Sequence, residues 1–333
     1  MLRISGDGEG GRRAGLAGLQ SCGSPWSCPV CCRRIAGQRS DELREVLDAV
    51  AAAGGSVCMI TMTTRHRAGQ SLRSLWGGVS AAWRAVTSGR AVERERGTFG
   101  VLGMVRVVEV THGESGWHCH VHALIAFDGP VSRELAQELG GSMFGRWERA
   151  LVRKGFAAPL EDRGGLDVRP VDMGVGSRDA VAEYLSKISA EITGGSAKEG
   201  RRGNRTPFGI LRDGLATGLA DDLELWAEWE QASRGRRQIA WSQNFRKWAG
   251  ARRERSDEEI VTDDLGGEDI LAVEAQDWPA LRPRVAELLD VAERDGPVAA
   301  AEWLTARRIG WFRCRRGVPP GKSEARHDMA ECS

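Results

Sequence analysis

Three of the chain's six histidines stand in the run His118-Cys119-His120-Val121-His122. In an extended strand alternate side chains share a face, so this spacing points three imidazoles one way and Cys119, Val121, Ala123, Ile125 and Phe127 the other, toward a core. Neutral imidazoles are ligands for divalent metals. Upstream, Glu109 lies among Val105, Val107, Val108 and Val110, where a carboxylate is costly without a partner. If a hairpin pairs Thr111 with His118, Glu109 falls opposite His120 and Val107 opposite His122. Two imidazoles and a carboxylate then converge, with His118 as a further ligand or a supporting donor. Such a set fits Mn²⁺, Mg²⁺ or Zn²⁺ and leaves positions open for a substrate oxygen. The competing reading is three polar histidines on a solvated sheet face. His66 and His112 stand apart from the row and read as surface loop residues.

Two other constellations carry chemistry. Cys28-Pro29-Val30-Cys31 has zinc-knuckle spacing and Cys22 supplies a third thiolate; the fourth ligand is Cys32 or a residue from elsewhere, although adjacent cysteines rarely both bind one ion. Redox or inert thiols are the alternative. Cys58 and Cys119 lie in strand patterns and read as buried small hydrophobes. Tyr184 is the chain's single tyrosine, with Lys187 three residues on and so on nearly the same helix face. A phenol becomes a nucleophile when a nearby ammonium or a polarised phosphate stabilises its charge; otherwise it is a core or rim aromatic.

The elements that must position these groups follow from periodicity. A helix is expected over Ser40–Ala53, capped by Ser40 and stopped at Gly54-Gly55, then a strand over 56–64 and a Trp-bearing helix over 71–87. Residues 102–111 and 117–127 form a hairpin, 132–154 a helix, 166–171 a short strand and 178–192 a helix. The order β-α-β-β-α-β-α suggests an α+β fold with helices on one face of a mainly antiparallel sheet. Further on, 284–294 and 297–308 read as two helices joined by Asp295-Gly296, a pair that also suits a DNA-reading helix-turn-helix. With 333 residues, 41% of them hydrophobic, the chain can bury a substantial core. No apolar run approaches a membrane span, and Ala14–Leu19 behind Arg12-Arg13 falls short of a signal peptide, so a soluble cytoplasmic protein is expected. The net charge of +1 hides segregation: residues 234–255 hold eight bases against one acid, and 257–277 hold nine acids and no base. The first is a candidate polyanion surface, centred on Arg236, Arg237, Arg252 and Arg253; the second reads as a solvated linker.

Taken together, Met59-Ile60-Thr61-Met62-Thr63, Glu109 with His120-Val121-His122-Ala123-Leu124-Ile125, and Tyr184-Leu185-Ser186-Lys187 resemble the three ordered motifs of rolling-circle plasmid replication initiators of the HUH endonuclease superfamily, in particular those of actinobacterial plasmids. Trp26-Ser27-Cys28-Pro29-Val30-Cys31, Arg205-Thr206-Pro207-Phe208-Gly209-Ile210-Leu211 and Gly235-Arg236-Arg237-Gln238-Ile239-Ala240-Trp241-Ser242 are similar to the same group, so the resemblance spans about residues 22–250. It implies an HUH-endonuclease-like antiparallel sheet with flanking helices, a zinc-knuckle-like N-terminal segment and a helical C-terminal region. It further implies that His120, His122 and Glu109 hold Mn²⁺ or Mg²⁺ on the scissile phosphate of single-stranded origin DNA. Tyr184, aided by Lys187, would attack to give a 5′-phosphotyrosine and a 3′-OH primer. Where some members carry an acid to activate a terminating water, this chain has Ala180, which leaves Asp179 and Glu183 as candidates. The implied partners are plasmid origin DNA, a host helicase and a DNA polymerase, and a homodimer is compatible. The expected division is a disordered arm at 1–21, the cysteine cluster and helix at 22–55, the nickase domain at 56–195, a basic helical DNA-binding extension at 196–255, an acidic linker at 256–280, the helical pair at 281–312 and a tail at 313–333. Rival readings are a mobilisation relaxase or single-strand transposase, a metal-dependent hydrolase, and a non-catalytic zinc-containing DNA-binding regulator.

Overall fold

The computed structural model describes residues 1–6, 12–18, 22–171, 173, 204–262 and 267–314. The helix expected over 178–192, with Tyr184, Lys187, Asp179 and Glu183, lies outside them. The chain divides into two compact units, one formed by Cys22–Val261 and one by Met1–Ser21 with Thr262–Ser333. No helix among the described residues is long and apolar enough to cross a membrane.

The larger unit is α+β. Its five-stranded sheet is built from β3 (Ser56–Thr63), β4 (Val101–Gly113), β5 (Gly116–Phe127), β6 (Leu166–Val171) and β7 (Ile239–Trp241) in the order β6-β3-β5-β4-β7. Every neighbouring pair is antiparallel. The β4–β5 hairpin has the expected register, with Thr111 opposite His118, Glu109 opposite His120 and Val107 opposite His122. Its strands run closer to the turn than the sequence suggests, since Gly113 pairs with Gly116 and only Glu114 and Ser115 remain between them. Gly116 takes a φ of +87°, a conformation that side chains resist.

One face of the sheet packs on α2 (Leu72–Thr87), α4 (Arg133–Arg153) and α6 (Ala220–Ser233), while α3 (Arg90–Thr98) and α5 (Pro207–Thr217) complete the helices that precede α6 in the chain. Ser71 and Ser132 cap α2 and α4 with side-chain oxygens that accept from the amides of Ser74 and Leu135. Cys119, Val121, Ala123 and Ile125 project into this core and are fully buried. Trp26, Trp76 and Trp229 pack edge-on and tilted within it, at ring separations of 5.2 to 5.8 Å. Glu228 of α6 ties the layers, accepting from the Leu72 amide at 2.7 Å and the Trp117 indole at 2.8 Å.

The opposite face is covered as well, which corrects the expectation of helices on one side only. Leu43, Val46, Leu47 and Val50 of α1 (Pro29–Ala52) close over Val57, Met59, Val105, Val107, Leu124 and Ala126. Helix α1 is also longer than expected. Its N-cap is Cys28, followed by Pro29 at the first position, and Ser40 lies in mid-helix. The buried positions begin at Cys31, Cys32, Ile35 and Ala36, so the apolar stripe extends upstream of the serine.

Within the extension expected at 196–255 the described residues hold helices α5 and α6, while the basic stretch at 234–255 is mostly not helical. Its centre is β7, which pairs Ile239, Ala240 and Trp241 with Val107, Arg106 and Val105 on the edge of β4, and it continues through a single turn of helix, α7 (Phe245–Trp248). The acids that follow open with a short helix, α8 (Asp257–Thr262). The smaller unit shows two further departures. The arm expected to be disordered contributes β1 (Leu2–Ser5) and β2 (Arg13–Leu16), and the acidic stretch contributes β8 (Glu268–Val273); with β9 (Trp311–Arg313) they form a sheet of order β2-β1-β8-β9. Asp269 explains part of this, because its carboxylate takes two bonds of 2.7 Å from Arg3 across the β1–β8 pair. The expected helical pair is present as α9 (Val285–Arg294) and α10 (Pro297–Ala306), joined through Gly296 at a φ of +94° and packed by Leu288, Ala292, Ala300 and Leu304 against Leu2 and Leu271.

Candidate functional site

On the face that α1 covers at one end, the other end of the sheet is polar. Along β5 this face reads His118, His120, His122, Leu124 and Ala126, and only the last two lie in the apolar cluster closed by α1. The register adds Glu109 and Val107 from β4 and Thr63 and Thr61 from β3, opposite His120 and His122. The change from apolar to polar residues along one strand therefore leaves the histidines beside the helix and not beneath it.

The imidazoles are held from both sides. His122 Nε2 lies 2.8 Å from a Glu109 carboxylate oxygen. Its Nδ1 is 3.1 Å from the Thr61 hydroxyl, and His120 Nδ1 is 3.0 Å from the Thr63 hydroxyl. With Nδ1 so engaged, a neutral ring that donates its Nδ1 proton to threonine presents Nε2 as a lone-pair donor, the arrangement that metal-binding histidines use. Burial lowers the pKa of His120, against the raising effect of Glu109, so the ring is neutral and able to ligate near pH 7. The rings of His120 and His122 lie 6.4 Å apart and nearly parallel. The donor set of two imidazoles and one carboxylate suits a divalent ion with open positions. Of these three groups, His122 and Glu109 are in direct contact.

His118 and His66 correct the expectation for the row. His66 is not a lone loop residue, because its ring packs edge-on against His118 at 3.9 Å. Burial first, then the neighbouring imidazoles of His66, His120 and His112, push the His118 pKa down to about 4. His112 packs on Trp117 at 4.9 Å and its backbone pairs with Arg205. Thr61 and Thr63 are functional candidates that spacing alone did not single out. Their signal is the i, i+2 alternation in β3, which acquires meaning only once the β3–β5 register is known. Asp167 of β6, in register with Thr61 and ion-paired with Arg169 at 2.7 Å, borders the same surface.

The cysteines converge where α1 begins. The sulfurs of Cys22, Cys28 and Cys31 lie within 4.8 Å of one another, a group that could bind a metal ion. Cys22 and Cys31 are 3.9 Å apart. Tetrahedral zinc with Zn–S bonds of ~2.3 Å places its sulfurs ~3.8 Å apart, so the spacing fits. Burial works against the Cys28 thiolate, yet the Cys31 and Val30 amides and the adjacent thiols hold its pKa below the ordinary thiol value. Cys32 is not part of the group. Its buried sulfur accepts from Gln238 at 3.6 Å, and burial pushes its pKa up to about 11, as it does that of Cys31.

The four arginines singled out in the basic stretch have different surroundings. Arg236 is half-buried, lying over the Trp76 ring at 4.9 Å and donating to the Ala232 carbonyl. Arg253 pairs with Glu259 at 2.7 Å on the surface. Arg237 is largely exposed and 4.0 Å from Glu254. The Arg252 side chain is exposed, and its carbonyl accepts from Arg246. Arg246 itself serves the fold, pairing with the buried Glu42 that also holds Arg39.

Residues 14–136 match the family described as Replication protein. Over 298 residues the chain is 30% identical to the "Protein rep" of Streptomyces lividans, which takes in 71% of this chain and 65% of that protein. It is 27% identical over 217 residues to a Streptomyces cyanogenus protein named "Neomycin resistance protein", covering 56% of this chain and 48% of that one. The chain thus spans less than two thirds of the length of either relative. No solved structure matches it. The segment that carries the histidine strand, Glu109 and the threonines of β3 is thus the one that is similar to the replication-protein family.

Proposed function

We propose that the protein initiates rolling-circle replication of a plasmid by nicking single-stranded DNA at the double-strand origin. The observation that carries this reading is the histidine row, with His120 and His122 each held at Nδ1 by a threonine and Glu109 beside them. His120, His122 and Glu109 would hold Mn²⁺ or Mg²⁺, with His118 next in the row. When bound, such an ion polarises the scissile phosphate. Tyr184, assigned by its resemblance to the initiator motif, attacks the phosphorus: its oxygen forms the new ester as the bond to the 3′ oxygen breaks. The phenol proton is lost and the leaving 3′ oxygen is protonated, which gives a 5′-phosphotyrosine and a 3′-OH primer. One ester replaces another, so the step can be reversed to close the circle. Lys187, three residues from Tyr184, supplies positive charge beside the phenolate, and Asp179 and Glu183 are the candidates for the termination step.

Cys22, Cys28 and Cys31 would hold a structural Zn²⁺ that fixes the start of α1. Arg236, Arg237, Arg252 and Arg253 are candidates to contact phosphates of the DNA. Origin DNA, a host helicase and a DNA polymerase are the partners this reading calls for, in the cytoplasm. Supercoiled plasmid carrying the origin, incubated with protein and Mn²⁺, tests it. Wild type should convert the plasmid to the open circle, whereas His120→Ala and His122→Ala should not. Full nicking by either variant in chelator would remove the metal from the account.

A further inference from the structure

Beside the start of β7 the larger unit holds a cavity of about 320 Å³, at the lower end of the range for small-ligand sites. Ile35 and Arg39 of α1 form one wall, Arg237, Gln238 and Ile239 a second, and the stretch from Arg253 to Glu258 that opens α8 the third. These walls brace one another. Arg39 donates to the Arg255 carbonyl at 2.8 Å and to Asp257 at 2.9 Å, which ties the third wall to the first. The start of α8 is capped reciprocally, with the Glu259 amide donating to the Ser256 hydroxyl at 3.1 Å and the Ser256 amide donating to the Glu259 carboxylate at 2.7 Å.

The lining is chemically two-ended. Ile35, Gln238 and Ile239 are its buried residues, whereas the side chains of Arg237 and Arg253 are largely exposed and mark its mouth. Gln238 is only 4% exposed. Its amide is locked in one orientation, because Nε2 donates to the Pro25 carbonyl at 2.6 Å and to the Cys32 sulfur at 3.6 Å. Oε1 is then the acceptor left over, buried with no hydrogen-bond partner among the described residues. Such an acceptor calls for a donor from outside the protein, and an anion has none to give it. The charge lies toward the mouth: arginines outnumber acids in the lining by four to three, and two of the acids, Glu254 and Asp257, are paired with Arg39. The ligand that fits presents an N–H from a partly apolar body at the buried end and an anionic group at the open end. A nucleotide has that form.

We propose that this cavity takes one unpaired nucleotide of the bound DNA strand, with an N–H of the base donating to Gln238 Oε1 and the phosphate at Arg237. The proposal rests on the DNA-nicking reading above for the strand, and on the cavity for the site. Adenine and cytosine offer an amino group and guanine and thymine a ring N–H, so the seat holds a base without choosing among the four. A free nucleotide shares this chemistry.

The test uses the full chain without added divalent metal. A single-stranded oligonucleotide carrying one abasic site, moved along the strand in successive versions, changes the ligand and leaves the protein intact. Wild type should lose affinity about tenfold with the abasic site at one position and much less at its neighbours. Gln238→Met should bind the intact strand about as weakly as wild type binds that abasic version, and should show no dip of its own. Arg237→Gln alters an exposed side chain and should fold whether or not the methionine variant does; its dip should persist, with a salt slope shallower by about 0.7 throughout. In a second arm, each deoxynucleoside monophosphate should raise the unfolding temperature of wild type, 2-deoxyribose 5-phosphate should not, and Arg237→Gln should respond much less. A flat abasic scan in wild type, or the same dip in Gln238→Met, would overturn the strand assignment even if mononucleotides bound. Equal responses to the nucleotides and to the sugar phosphate would overturn the cavity as a base site. If wild type bound no oligonucleotide, the nicking reading would fail, and the mononucleotide arm would still decide the cavity.

Discussion

At the scale of single residues, the account depends on how two imidazoles are turned. Thr61 and Thr63 occupy the Nδ1 atoms, so each ring presents its Nε2 away from β3, that of His122 onto the Glu109 carboxylate at 2.8 Å. Supports of this kind typically contribute 10–100-fold to metal affinity. Thr63→Val should therefore weaken Mn²⁺ binding in a calorimetric titration by about that factor, while Thr63→Ser stays within a few fold; equal affinity in the valine variant would show that the hydroxyl does not orient the ring. His118 adds a pH dependence. Its folded pKa of about 4 lies below the ordinary histidine value of 6.5, so between those limits the unfolded chain binds the extra proton. Stability should be fully present above pH 6.5 and fall as pH drops toward 4. The ring is half-exposed, and solvent screening reduces the effect to roughly 1 kcal/mol. Urea unfolding in chelator checks this: His118→Gln should lose less stability than wild type between pH 7 and 4.5, and an identical loss in both would rule out the ring as the source.

At the scale of elements, the β4–β5 hairpin was legible because strict alternation and one assumed pair fix every register position that follows. The pairing of β3 with β5 was not, since nothing in the local sequence states which strand lies beside which, and the threonines and His66 were overlooked for that reason. Helix α1 was misjudged because Ser40 is a good capping residue in isolation, whereas Cys28 and Pro29 start a helix whose apolar stripe runs further back. Strands β1, β2 and β8 are not legible because short, charged segments look like linkers until their partners are in place. Close packing at β4 gives a test. A Cβ on Gly103 would stand 2.0 Å from the Phe245 ring, and Phe245 is buried in the second core. Gly103→Ala should destabilise the protein by about 1–3 kcal/mol, read as a lower urea midpoint with an unchanged m-value. An unaltered midpoint would mean that α7 yields freely. The cysteine group is open to a similar trial: metal analysis should find about one zinc per chain in wild type and little in Cys28→Ser, with chelator lowering the unfolding temperature of wild type alone.

At the scale of the whole molecule, the larger unit gathers the histidine row and the cysteine group around one antiparallel sheet. Arg205 bridges His112 on β4 through its backbone, beside the hairpin end. The family match over residues 14–136 covers the histidine strand and does not reach Tyr184. The central claim is therefore the covalent step at that tyrosine. Mass spectrometry of protein incubated with Mn²⁺ and a single-stranded oligonucleotide spanning the nick should find a nucleotide phosphate esterified to Tyr184, and Tyr184→Phe should yield no adduct while still binding the oligonucleotide within a few fold of wild type. An adduct formed by Tyr184→Phe, or cleavage by wild type with no covalent intermediate and a hydrolysed 5′-phosphate, would contradict the account.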